Sequence, residues 1–185
     1  MTAALGINSL GGQEGFMAVR NPKELFIALL SNVRQGTERT GRIFNELGQA
    51  AQRPEVKEAL EARELVHEDI LARLDKCFKM IDAKPVKTTE HLHDSFVEDF
   101  RKELAEIENP VARHLFILAR ANTMFQLRAA EYVALIELAD VSGHYAVGAL
   151  LETCLADKLA LAERTRRLMR HIIKTEVLER AMVAA

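Results

Sequence analysis

Three of the four prolines in this chain stand where a helix has to begin, and the residues after each of them repeat their apolar positions with a helical period. Pro22 follows Asn21 and precedes Glu24, Pro54 follows Arg53 and precedes Glu55, and Pro110 follows Asn109. A proline in the first turn gives up an N–H that the helix leaves unpaired anyway. An asparagine before it caps, and a glutamate after it sits at the positive helix end. The fourth proline, Pro85, closes the second of these runs. With Ser142-Gly143 as a further break, the pattern predicts helices over 22–48, 54–82, 110–140 and 144–180. The first carries the stripe Phe26, Leu30, Val33, Thr37, Thr40, Phe44 and Leu47, and the other three carry similar ones. No convincing strand pattern occurs, so the fold class is all-α. At 185 residues, 49% hydrophobic and 5% aromatic, the chain suits a single domain with one sizeable core.

The connections order the helices. Those at 48–53 and 142–143 are short and force antiparallel neighbours, whereas 83–109 is long and polar and contains a weakly helical segment at 94–107. Two short-looped hairpins joined by one long, partly helical crossover make a ferritin-like antiparallel four-helix bundle. Residues 1–20, with a Gly-Gly pair and no sustained period, read as a flexible N-terminal tail, leaving 21–185 as the bundle domain. The net charge of −2 argues against a nucleic-acid partner. No apolar run approaches a membrane span, and the start lacks a secretory pattern, so the expected location is the cytoplasm. Cys77 and Cys154 each fall in an apolar helical pattern and are expected to be buried thiols.

Several short stretches, spread over roughly 25–170, carry a resemblance. They are Leu25-Phe26, Arg53-Pro54-Glu55-Val56-Lys57, Lys84-Pro85, Asn109-Pro110-Val111, Ala130-Glu131-Tyr132 and Leu150-Leu151-Glu152-Thr153. Together they resemble the YciE/YciF-like family of bacterial ferritin-like proteins. The resemblance implies a ferritin-like bundle, often dimeric, linked to bacterial stress responses and without a settled biochemical activity.

A di-metal centre in such a bundle is built from glutamates and Glu-x-x-His pairs facing inward. Glu64-Leu65-Val66-His67 has that spacing, which places both side chains on one helix face. The rest of the layer has the wrong chemistry. Against the resembled family, the glutamate of the first helix falls on Thr37, while Glu38 turns towards solvent. A histidine gives way to Arg63, and an acidic and histidine cluster is replaced by Phe125-Gln126-Leu127-Arg128. Counting from the short turns, Arg63, Glu64, His67, Arg128, Asp157 and Lys158 fall at similar height, with Glu131 well off the inward stripe. A di-iron or di-manganese site needs about four carboxylates and two imidazoles. Three fixed cations against two carboxylates repel divalent metals instead. The expectation is a degenerate, salt-bridged polar layer with no metal, in which Arg63 or Arg128 contacts Glu64 or Asp157 across helices.

Other signals are weaker. His91 and His93 in the crossover read as solvated loop residues, and the basic run from Arg164 to Lys174 reads as the outer face of a packed helix. No nucleophile arrangement can be argued from these spacings, so no catalytic residue and no cofactor are assigned. The leading reading is a non-catalytic ferritin-like bundle of bacterial stress physiology. One alternative is a di-metal oxidase or iron-binding protein using Glu64 and His67, with iron or manganese as cofactor; another is a protein-interaction module. Leu168, Met169, Ile172, Ile173 and Val177 near the end of the long last helix need an apolar cover, which predicts a homodimer.

Overall fold

A computed structural model of the protein describes the backbone of residues 19–88 and 91–183, and their side chains except at 62, 64, 65, 91–94 and 179–183. The tail expected over 1–20 lies outside the described residues apart from its last two. Among the described residues five helices follow in order: α1 Pro22–Ala50, α2 Pro54–Met80, α3 His91–Ala105, α4 Pro110–Val141 and α5 Tyr145–Val183. All three initiating prolines occupy the first turn of their helices. Asn21 and Asn109 cap as the sequence predicts, accepting from the N–H groups of Glu24 and Ala112 at 2.9 Å each. Glu24 returns the bond by accepting from the Asn21 side-chain amide at 2.9 Å, and it also accepts from the Arg20 N–H at 2.8 Å. Arg53 makes no side-chain cap at α2 and pairs with Glu55 instead. Two residues past the end of α4 stands Gly143, whose φ of 74° is one that side chains rarely adopt.

Around the bundle α1 borders α2 and α4, and α5 borders the same two, so α1 faces α5 across one diagonal. His114, near the start of α4, bonds to Gln52 and Arg53 at the start of α2, so the chain leaves α2 at the end opposite to where α4 begins. α3 makes that journey, lying on α1 and α4. The fold is a ferritin-like helical bundle with a helical crossover. Ser31 and Gln35 of α1 pin the start of the crossover. The Val86 N–H donates to the Ser31 hydroxyl at 3.0 Å, and the Gln35 amide donates to the Val86 carbonyl at 2.6 Å. Phe100 and Leu104 of α3 are buried, and Phe100 stacks on Phe116 of α4. The segment expected to be weakly helical is thus a helix that starts earlier, at His91. His91 and His93 fall in its first turn and not in a loop, and their side chains lie outside the described residues.

His114 holds the α1–α2 turn in a way the sequence does not announce. Its Nε2 accepts from the backbone N–H groups of Gln52 and Arg53 at 3.1 Å each, which requires a neutral ring. Burial keeps that ring neutral by lowering its pKa, with Arg53 acting in the same sense. At the far end of α5 the expected apolar overhang is smaller than predicted. Ile172 is fully buried and Leu168 and Met169 pack on the core, leaving Ile173, Val177 and Leu178 exposed.

Candidate functional site

The core is two apolar clusters with polar residues between them. One holds Phe44, Leu60, Phe125 and Leu161, the other Phe26, Leu30, Leu74, Tyr132 and Leu151. Among the polar residues that separate them, Thr37, Thr40, Arg63, Arg128, Lys158 and Thr165 are all buried. Arg63, Arg128 and Lys158 are only 3%, 1% and 2% exposed. These three lie inside, with His67 partly buried beside them and Thr37 inward of the exposed Glu38. The side chain of Glu64 lies outside the described residues.

Each cation is accommodated differently. The Arg128 guanidinium lies against α1 where Gly36 has no side chain; a Cβ there would collide with it. Its Nη1 donates to Glu131 at 2.5 Å, one turn further along α4. Arg63 sits against two aromatic rings, its Cζ 5.4 Å from the centre of Phe44 and 4.8 Å from that of Phe125. Its Nη2 donates to the Thr165 hydroxyl at 2.5 Å, and its enclosed Nη1 has no hydrogen-bond partner among the described residues. Burial lowers the Arg63 pKa to about 10, which leaves the group charged at neutral pH. His67 fits against Gly41, where a Cβ would come within 2.8 Å of Nε2. Burial, helped by the Lys158 charge, lowers its pKa to about 4, so the ring is neutral.

The Glu64 arm of the expected cross-helix pairing lies outside the described residues; the pairs that are described are these. Arg128 pairs within α4, with Glu131, which the sequence places off the inward stripe. Asp157 is held at the edge by Arg73 of α2, and Arg63 is held by rings and a hydroxyl. The sequence reading missed Glu131 and Arg73 as partners and Gly36 and Gly41 as slots. Two glycines inside a helix, each costing about 1 kcal/mol relative to alanine, were the available signal.

Lys158 makes no ion pair among the described residues, and burial, followed by repulsion from Arg128, lowers its pKa to about 8. The folded state binds this proton less tightly than the unfolded chain, whose lysine keeps a pKa of about 10.4. Stability should therefore rise as pH climbs from 8 towards that value. Lys158→Met, which keeps the length and removes the charge, is expected to stabilise by about 1–3 kcal/mol at pH 7. It should also flatten that alkaline rise. Denaturation midpoints at pH 7 and 9 read both effects; a destabilised variant would mean the ammonium is well solvated.

The metal chemistry of ferritin-like bundles does not fit these residues. Among the described residues no three His, Cys, Asp or Glu side chains gather where they could hold a metal ion. Three buried cations and a threonine occupy the layer instead. Cys77 and Cys154 are buried free thiols, as predicted, and burial pushes Cys77 up to about 12, far from thiolate chemistry. No helix among the described residues is long and apolar enough to cross a membrane.

The fold defines a ferritin-like bundle, with the side chains of Arg63, Arg128 and Lys158 buried inside it. The chain belongs to the DUF892 family, a domain of unknown function, whose model matches residues 21–178. Its fold is shared by the stress protein YciF of E. coli, at a TM-score of 0.78 and 20% identity, covering 84% of this chain and 99% of that one. It is also shared by YcfI of Rhodopseudomonas palustris, at a TM-score of 0.76 and 19% identity, covering 81% and 96%. A Xanthomonas campestris protein aligns at a TM-score of 0.68 and 16% identity, covering 88% and 99%. The resemblance to YciE/YciF-like proteins is thereby upheld. No curated protein sequence matches the chain significantly.

Proposed function

We propose that this protein is a non-catalytic, cytoplasmic homodimer of bacterial stress physiology. In it, a degenerate layer of Arg63, Glu64, His67, Arg128, Asp157 and Lys158 replaces a metal centre. The observation that carries the reading is the burial of Arg128 and Lys158 between the two apolar clusters, with Thr37 facing in from α1. Moving two divalent cations next to fixed buried charges of the same sign is opposed by several kcal/mol in a low-dielectric interior. The stress role rests on the shared fold with YciF, named a stress protein. The location rests on the two free buried thiols, which suit a reducing compartment. The dimer rests on exposed Ile173, Val177 and Leu178 near the end of α5.

Native mass spectrometry of freshly purified protein reads both claims at once. The expected species is two chains with no added mass of iron, manganese or zinc. A transition metal retained per chain ends the metal-free reading, and a monomer in the concentration range of light scattering ends the dimer.

A further inference from the structure

The last helix outruns its neighbours. Arg73 of α2 bonds to Thr153 of α5, and Arg63, earlier in α2, bonds to Thr165, so the two helices run antiparallel. Continued at the same rise per residue, Pro54 at the start of α2 lies level with about position 174 of α5. The start of α4 lies at the same height, since Val111 and Leu115 line one groove with Ile173 and Val177. α5 runs on to Val183 and so stands clear of both. Leading into that overhang is a basic band: Arg164, Arg166, Arg167, Arg170 and Lys174 are all exposed. Over residues 163–178 only Glu163 and Glu176 oppose these five cations, although the whole chain has a net charge of −2. Glu163 pairs with Arg166 and Arg167 at 2.5 and 3.1 Å, whereas Arg164, Arg170 and Lys174 make no ion pair among the described residues. Leu178, one turn beyond Lys174, is 64% exposed. We propose that this outer face of α5 docks on an anionic phospholipid membrane surface, its cations against lipid phosphates and Leu178 at the acyl boundary.

Charge and shape together select lipid. Four of the five cations are arginines, whose forked guanidinium matches phosphate oxygens. They stand on the outward face of a helix, a convex surface that a flat array of headgroups meets all at once. An acidic protein would need a groove fitted over the helix to do the same. The exposed aliphatic side chain at the end of the band adds a contact that a soluble polyanion cannot use, burial of carbon below the headgroups. With an overall charge near zero and its cations gathered at one end, the chain is also oriented by the field of an anionic surface. A dimer does not compete for this band. Ile173 and Val177 flank the start of α4, whereas Arg164 lies two turns after Asp157, on the flank that meets Arg73 of α2. A second copy seated on the α4 flank leaves Arg164, Arg167 and Lys174 open.

Co-sedimentation of the full chain with lipid vesicles tests this. The protein should pellet with vesicles of phosphatidylglycerol mixed into phosphatidylcholine and stay in solution with phosphatidylcholine alone. Binding should be lost as salt rises towards about 0.5 M, where the Debye length shrinks to a few ångströms. Arg167→Glu combined with Lys174→Glu should weaken binding at least about 25-fold, at roughly fivefold for each basic residue near the surface. Arg42→Glu reverses an exposed charge on α1, across the bundle from α5, and should change binding by less than about threefold. The lipid and salt comparisons use the wild type, so they stand whatever the variants do to folding. Failure to bind phosphatidylglycerol, equal binding to phosphatidylcholine alone, a double variant that still binds, or an equal loss with Arg42→Glu overturns the proposal. So does release from the vesicles by soluble poly-glutamate at matched charge, which marks an acidic protein as the partner instead. Native mass spectrometry of the same double variant reports the dimer separately.

Discussion

Gly36→Ala is expected to lower stability by about 2–3 kcal/mol, and so to lower Tm by roughly 5–10 °C for a chain of this size. The sign is the opposite of what helix propensity dictates. In a helix interior alanine is better than glycine by about 1 kcal/mol, so a glycine with free space beside it should gain from the exchange. Gly48, on the same helix, is such a position: the nearest side-chain atom to a Cβ there is Leu60 Cβ at 4.0 Å. At Gly36 the added carbon would overlap the Arg128 guanidinium, which is buried and tied to Glu131, and so has nowhere to retreat without breaking that pair. Chemical denaturation should therefore place Gly48→Ala at or above wild type and Gly36→Ala well below it. In an Arg128→Ala background, already destabilised, the added cost of Gly36→Ala should disappear. If Gly36→Ala is as benign as Gly48→Ala, Arg128 does not occupy the slot described.

That slot also marks the limit of what could be read from the chain. Helix starts were legible because proline and asparagine act locally, through a missing N–H and a short side-chain acceptor, and need no tertiary partner. Topology was legible because two connections are short and one is long. That Arg63, Arg128 and Lys158 share one layer followed from phase; that all three are buried did not. The partners Glu131 and Arg73 did not follow either, because a long side chain reaches a turn either way along its own helix or across to a neighbour. Arg128 took Glu131 and Asp157 took Arg73, which phase arguments about inward stripes do not rank. The role of His114 was hidden for a related reason. Its acceptors' partners are backbone N–H groups some sixty positions earlier, and no side-chain pattern in the sequence encodes them.

The second large effect is acid sensitivity set by His67. Its folded pKa of about 4 lies below the value of about 6.5 expected in the unfolded chain. Between those values the unfolded state binds the proton and the folded state does not, so stability is fully present above pH 6.5 and is lost as pH falls towards 4. For a ring that is partly buried, the loss should amount to about 2–3 kcal/mol across that window. His114, whose pKa is also lowered, adds a loss of the same sign, so wild type alone does not isolate the effect. The difference between wild type and His67→Gln does. The variant should lose less stability between pH 6.5 and 4.5, above most carboxylate titrations, while both proteins share the steeper fall at lower pH. Proton NMR supplies a direct check, with the His67 ring still neutral at pH 5. Because the Lys158 charge contributes to the shift after burial, Lys158→Met should move the ring's titration upward. A His67 that titrates near 6.5 in the folded protein would show that the layer is wetter than its geometry implies, and the large acid-dependent difference would then be absent.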